Sequence, residues 1–331
     1  MNMTFLLTGM VAVTLMLTAP VCGKEEIERA HRDQAYAGKM IDAHSRPRKI
    51  RATHFSDARK ANIERVIVMR TPNNYREPKR KDMRSAAAQF SNVAVLCSSD
   101  FVGHLFDGEI AQARRVVAQI KQMVEEKHCA GIGEIGLRHY DKRWRRGGGQ
   151  HELSLALDHT LIDEVLSIAN SHAVPVVLHI EPVYTPKAID DLKEIKAWYK
   201  RVCKKYPRVT LIAAHNGMMS PADLEQLLRY CPNLFADVKI LHSEGAVEGF
   251  ADLHGVNDLD YRFFEAWALL IEKYPDRFLL GTDWKDGRGR GYAGRSYLEH
   301  IQRIRQMIGS LSPAVQERFA YSNAKRIYQL R

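Results

Sequence analysis

The feature that most constrains this chain is a repeated alternation of short, apolar, largely β-branched runs with amphipathic helical stretches. Eight runs read as strands: 40–44, 65–69, 93–97, 130–135, 174–180, 210–214, 234–238 and 278–281. The most distinct is Pro175-Val176-Val177-Leu178-His179-Ile180-Glu181-Pro182, bounded by prolines. Between the runs, 109–126 places Ile110, Ala113, Val117, Ile120 and Val124 on one helical stripe, and 153–169 and 187–204 show a similar period. Thr185-Pro186 and Ser220-Pro221-Ala222-Asp223 read as helix starts, a hydroxyl cap followed by proline at the first helical position. Eight strands alternating with helices over roughly 250–300 residues is the arithmetic of an α/β protein with a single-domain (β/α)8 TIM barrel. The rival, a doubly wound open sheet, lacks its Gly-rich loop after the first strand. The barrel is predicted to span 40–331.

The first 23 residues stand apart. Residues 5–19 are uncharged and mostly apolar, too short for a comfortable membrane span, and Val21-Cys22-Gly23 before Lys24 is an acceptable cleavage site. A secretory signal over 1–23 is the expectation, followed by a charged lead-in over 24–39. The opening Met-Asn-Met-Thr lacks the usual positive charge, so a buried N-terminal helix is the alternative. Ala19-Pro20-Val21-Cys22 also has the outline of a lipoprotein signal, which Pro20 and Val21 fit poorly. Export would make the mature protein periplasmic or secreted, with no stable membrane span. Four cysteines would then remain: Cys97, Cys129, Cys203 and Cys231. They form no short-spacing metal or redox motif. Cys203 and Cys231 close two successive helical stretches and either pair in an oxidising compartment or stay as buried thiols.

What closes the strands is chemical. The first ends in Asp42-Ala43-His44-Ser45-Arg46, the fourth in Gly133-Glu134-Ile135-Gly136-Leu137 and the fifth in His179. The sixth ends in Ala214-His215-Asn216-Gly217 and the eighth in Gly281-Thr282-Asp283-Trp284. A strand-end histidine such as His179, taken alone, reads more readily as a hydrogen-bonded structural residue than as a ligand. Polar side chains at the carboxyl ends of barrel strands converge on one mouth. Three histidines, a glutamate and an aspartate meeting there make a divalent-metal site, of a donor type that suits zinc.

With these residues in their order, the chain resembles the amidohydrolase superfamily of metal-dependent barrel hydrolases, in its amidohydrolase-related (amidohydrolase-2) branch. The resemblance runs from Met40 to the end and includes Ser322-Asn323-Ala324-Lys325-Arg326-Ile327-Tyr328, similar to the family's closing helix. It implies that His44, His179, His215 and Asp283 hold metal. Gly133-Glu134-Ile135-Gly136-Leu137 resembles the fourth strand of TatD-type deoxyribonucleases, where the glutamate is a ligand, so Glu134 joins the set. The implied reaction is metal-assisted hydrolysis, with Asp283 as general base and His215 as ligand or oxyanion donor. Some members of the branch decarboxylate aromatic or enoic acids instead.

One position departs from the family. The second histidine of its first-strand Asp-x-His-x-His motif is Arg46 here, and a guanidinium cannot ligate a cation. One divalent ion, with zinc as the expected metal, therefore replaces a pair. Arg46 is either a bystander or a clamp for an anionic substrate. If the strand continues, Asp42, His44 and Arg46 share one face.

The net charge of +10 permits an anionic small molecule, nucleic acid or a membrane surface as partner. Basic loops follow the second, fourth and eighth strands: Arg70, Arg76, Lys79, Arg80 and Lys81; Arg138, His139, Lys142, Arg143, Arg145 and Arg146; and Lys285, Arg288 and Arg290. They read as a cationic mouth or as a solvated rim. Arg138 and Lys239 join Arg46 as candidate substrate contacts, while His242 and His254 read as loop histidines. A nucleic-acid groove would add stacking aromatics, and Tyr75, Tyr140, Trp144 and Tyr292 are scattered. The commitment is a hydrolase acting on a small anionic molecule. The rivals are a TatD-like phosphodiesterase and a metal-free, non-catalytic binding barrel.

Overall fold

The computed structural model describes residues 34–47, 52–70, 88–140, 152–238, 240, 255–258, 260–284 and 296–330. Eight parallel strands organise them: β1 (Met40–Ser45), β2 (Ile63–Val68), β3 (Val93–Val95), β4 (Ile132–His139), β5 (Val176–Ile180), β6 (Leu211–Ala213), β7 (Leu234–Asp237) and β8 (Phe278–Leu279). β1, β2 and β3 pair in that order, as do β4, β5, β6, β7 and β8. Two seams join these groups into one ring. At the first, Cys97 N donates to Gly131 O at 2.8 Å and Gly133 N to Cys97 O at 3.1 Å. At the second, Ala43 N donates to Leu280 O, and Asp283 N to His44 O, both at 2.8 Å. The fold is the expected (β/α)8 TIM barrel.

Alternation along the strands separates two apolar layers. Val177, Ile212, Phe235 and Leu279 pack in one cluster with Ile41, Ala43, Ile67 and Met69. Their strand neighbours, such as Val176, Leu178, Leu211, Leu234 and Phe278, pack in the larger layer that also holds the helices. Ala324, Ile327 and Tyr328 join the first cluster, which places the chain's last helix (Asn323–Ile327) against the barrel strands. A stripe of Ala113, Val117, Ile120 and Val124 buries the helix Ile110–Glu125 as its period predicts, but Ile110, expected on the same stripe, is 41 % exposed in the first turn.

Two helix starts differ from expectation. Leu153–Ser154 is a short antiparallel strand on β4, and the helix that follows begins at Thr160, capped by His159 Nδ1, which accepts from Leu161 N at 3.1 Å. Thr185–Lys187 forms only a 3-10 turn, ended by Ala188 at φ 51°, and the helix begins at Leu192. Ser220 caps its helix as read, accepting from Asp223 N at 3.2 Å. β4 runs to His139 rather than Ile135, so Arg138 and His139 are strand residues.

The lead-in is described only from Gln34. Arg305 clasps it, donating to Tyr36 O at 2.7 Å, to Gly38 O at 2.8 Å and to Ala61 O at 2.6 Å. All four described cysteines pair, Cys97 with Cys129 and Cys203 with Cys231. Residues 1–23, where a secretory signal is expected, the basic residues 76–81, 142–146 and 285–290, Lys239, His242, His254, Tyr75, Trp144 and Tyr292 lie outside the described residues. Among the described residues, no helix is long and apolar enough to cross a membrane.

Beside the β1–β8 seam, His54 packs against Trp284 and Tyr297, with Nε2 3.4 Å from Ser45 Oγ. Burial lowers its pKa to about 4. A depressed imidazole pKa favours the neutral form in the fold, so the stability it protects is complete above about 6.5 and is lost as pH falls through about 4. His54→Phe, measured by urea midpoints between pH 7 and pH 4, should gain on wild type by on the order of 3 kcal/mol as pH falls. A difference that stays constant with pH contradicts this account.

Candidate active site

The strand ends bring most of the expected residues together around Glu134. Its Oε1 lies 2.7 Å from His179 Nδ1 and 3.5 Å from His215 Nε2. Its Oε2 accepts from Arg46 Nη1 at 2.8 Å and lies 3.7 Å from His44 Nε2. Arg46 also pairs with Asp283, so one guanidinium joins the fourth and eighth strands. Glu134, His44 and His179 are fully buried, and Arg46 is only 4 % exposed. Burial opposes ionisation of Glu134, but Arg46, His44 and His179 outweigh it and hold the carboxyl well below the usual range.

Asp237, which closes β7, was not among the expected ligands. It is the most consequential residue that sequence reasoning missed. Its Oδ2 lies 2.9 Å from His44 Nδ1, and its Oδ1 accepts from His215 N at 2.8 Å. Burial opposes protonation of His44, yet Asp237 and Glu134 push its pKa up to about 10. Its one sequence signal is a polar residue closing an apolar strand, and Lys239 two residues later offers the same signal. Glu181, the carboxylate that ends the same proline-bounded run as His179, was also not among the expected ligands. It lies 2.7 Å from His179 Nε2 and accepts from Tyr140 N at 3.0 Å.

The shared face expected for Asp42, His44 and Arg46 is only partly realised, because the pairing register of β1 shifts between Asp42 and Ser45. His44 and Arg46 reach Glu134. Asp42 turns to the seam, accepting from Thr282 N at 3.0 Å, Thr282 Oγ1 at 2.6 Å and Tyr297 OH at 3.3 Å. Burial lifts its pKa to about 6, against the pull of the Thr282 hydrogen bonds. Arg138, a candidate substrate contact, is turned to Asp191 at 3.1 Å and to the Leu137 carbonyl at 3.1 Å.

The backbone is specialised where the sixth and eighth strands end. His215, Asn216, Gly217 and Met218 are consecutively left-handed, with φ of 57°, 61°, 64° and 52°. Such a conformation costs roughly 1–2 kcal/mol per non-glycine residue, and here the Asp237 hydrogen bond to His215 N helps hold it. Asp283 is left-handed as well, at φ 52°. Gly281 lets the eighth strand approach the first, since a Cβ there would lie 2.7 Å from His44 Cβ.

The donor set fits a divalent metal. His44 has Nδ1 fixed by a carboxylate, while its buried Nε2 makes no hydrogen bond. That is how a metal-ligating histidine is usually oriented. Donors around a tetrahedral ion with bonds of about 2.0–2.2 Å stand roughly 3.3–3.6 Å apart. His215 Nε2 stands 3.5 Å from Glu134 Oε1, close to that spacing, and His44 Nε2 stands 3.7 Å from the other oxygen, Oε2. Three donor groups arise among the described residues: His44, His215 and Asp237; Glu134, His179 and His215; and His139, His179 and Glu181.

Solved structures share this fold. A 2,6-dihydroxybenzoate decarboxylase complexed with 2,6-dihydroxybenzoate is 12 % identical, with a TM-score of 0.56 over 88 % of this chain and 100 % of that one. An apo protein of Agrobacterium tumefaciens is 12 % identical, with a TM-score of 0.55 over 90 % of this chain and 96 % of that one. An uncharacterised TIM-barrel protein of Bordetella bronchiseptica is 12 % identical, with a TM-score of 0.50 over 88 % and 98 %. No curated protein sequence matches. The amidohydrolase family profile, in its amidohydrolase-2 form, matches residues 41–330, and with the barrel and its strand-end residues in place, the chain belongs to that family.

Proposed function

We propose that this amidohydrolase is an exported hydrolase that uses one zinc ion to cleave an ester, lactone, amide or similar bond of a small anionic molecule. The observation that carries the reading is His44, whose Nδ1 faces Asp237 and whose buried Nε2 faces Glu134 without a hydrogen bond. His44, Glu134, His179, His215 and Asp283 would hold the ion, His215 belonging both to the donor group of His44 and to that of Glu134. When bound, the metal polarises the scissile group and lowers the pKa of a water toward about 7. Asp283, held at Oδ1 by Arg46, takes the proton from the attacking water and returns it to the leaving group. Asp237 fixes the ring of His44 and the main chain of His215, so the donors keep their positions through the reaction. The carboxylate ligand of the 2,6-dihydroxybenzoate decarboxylase supports an anionic substrate here and makes decarboxylation the second reading.

Assays on esters, lactones and amides, beside aromatic carboxylic acids and bis-p-nitrophenyl phosphate, separate the readings. Release of carbon dioxide alone would replace hydrolysis by decarboxylation, and phosphodiester cleavage alone would favour a nuclease-like enzyme. Elemental analysis of protein prepared without added metal should find about one equivalent of zinc. His44→Ala should lose it. Asp237→Asn should weaken metal affinity by roughly 10- to 100-fold while the fold persists. Wild-type protein with full activity and no metal would defeat the zinc reading.

Asp283→Asn keeps the side chain's shape and removes the base, so kcat should fall by roughly two to four powers of ten with little loss of melting temperature. A near-normal kcat would take the base role from Asp283. Export is supported by the apolar segment 5–19 and by the two cystine pairs, which suit an oxidising compartment. Mass spectrometry of protein from a secreting host should find a chain beginning at Lys24. An intact Met1 on cytoplasmic protein would refute export.

A further inference from the structure

The mouth of the barrel is crowded with buried carboxylates. Glu134, Glu181, Asp237 and Asp283 all lie within it, each at most 8 % exposed. Ionised carboxylates gathered in low dielectric repel one another unless positive charge is placed among them. Asp237 and Glu181 face imidazoles, those of His44 and His179. Glu134, which also faces the imidazole of His179, shares with Asp283 the guanidinium of Arg46, a charge that stays at any physiological pH. The geometry of that contact is that of a bridge. Nη1 serves Glu134 Oε2 at 2.8 Å, while Nε and Nη2 face Asp283 Oδ1. A planar fork that meets two carboxylates from opposite strands does what a bridging cation does.

We propose that Arg46 is the second cation of this site. The arginine is a positioning residue supplied by the chain in place of an ion. It holds Glu134 and Asp283 together whether or not metal is bound, and it limits the site to one metal equivalent. The inference deepens the metal reading of the same site. Its metal-free arm nevertheless stands without that reading, because the guanidinium bridges the carboxylates in the protein alone.

The test compares wild type with Arg46→Met, Arg46→Lys and Arg46→His, each stripped with chelator and then titrated with zinc. The readouts are melting temperature and bound zinc per chain. Stripped Arg46→Met should melt roughly 5 °C or more below stripped wild type, because it leaves two buried carboxylates without their shared charge. Arg46→Lys, which keeps a point charge and loses the fork, should fall between them, and it also serves if the methionine variant does not fold. Zinc should narrow the gap of Arg46→Met to wild type, since an ion can then occupy the vacated position between Glu134 and Asp283. Arg46→His, which adds a donor at that position, should bind about two equivalents where wild type binds about one. A gap unchanged by zinc, together with one equivalent in Arg46→His, would make Arg46 an ordinary buried ion pair and overturn the proposal. So would a stripped Arg46→Met as stable as wild type. If wild type binds no zinc while stripped Arg46→Met still loses stability, the metal reading fails and the bridging role survives.

Discussion

Everything at the mouth depends on how the ring of strands closes between β1 and β8. Asp42 takes both the amide and the hydroxyl of Thr282, and Ala43, His44 and Arg46 exchange main-chain hydrogen bonds with Leu280, Asp283 and Trp284. A parallel barrel has no free edge only if its first and last strands pair, and here the pairing strands also carry the reactive groups. Asp283 therefore has its place set twice. Its main chain is tied to His44, and its side chain is tied to Arg46, two residues farther along the same strand end.

The electrostatics follow from that closure. Carboxylates from β4, β7 and the segments after β5 and β8 each meet an imidazole or the one guanidinium of Arg46. Each buried charge thus has an opposite neighbour, which burial would otherwise penalise by several kcal/mol. Asp237 illustrates the economy of the arrangement, since its two oxygens act on different strands: one on the ring of His44, the other on the amide of His215. The left-handed turn at His215–Met218 is tolerable in that setting because its first amide has a buried acceptor waiting.

Much of the architecture was legible because the hydrophobic period repeats over eight strands and chemical strand endings recur on five of them, so that weak individual signals reinforce one another. Val176–Ile180 and the helix Ile110–Glu125 are where periodicity spoke most clearly. The helix starts after β4 and β5 were misread because local hairpin pairing, Leu153 with His139 and Tyr184 with Ile189, took residues that the apolar period alone assigned to helix. In the site, His44, Glu134, His179 and His215 were legible as strand endings. Asp237 was not, because nothing in one sequence says whether the aspartate that closes a strand or the lysine two residues later faces the mouth. The partners of Arg46 were equally hidden, since they come from strands 88 and 237 residues away. The direction of Asp42 depended on a register shift in β1 that no pattern of residue types announces.

The bridge between Cys203 and Cys231 has a consequence for how the chain comes apart. It links the helix Leu192–Lys205 to the residue that caps the helix Pro221–Tyr230, a separation of 28 residues. All of β6 and His215 lie inside that covalent loop. A protease that cuts once between the two cysteines thus produces no smaller fragment under oxidising conditions, and the two halves stay tethered on either side of the break. Only after reduction would a nick there appear as two pieces. For this strand, gel mobility without reductant reports on the cystine rather than on the continuity of the backbone that carries the histidine.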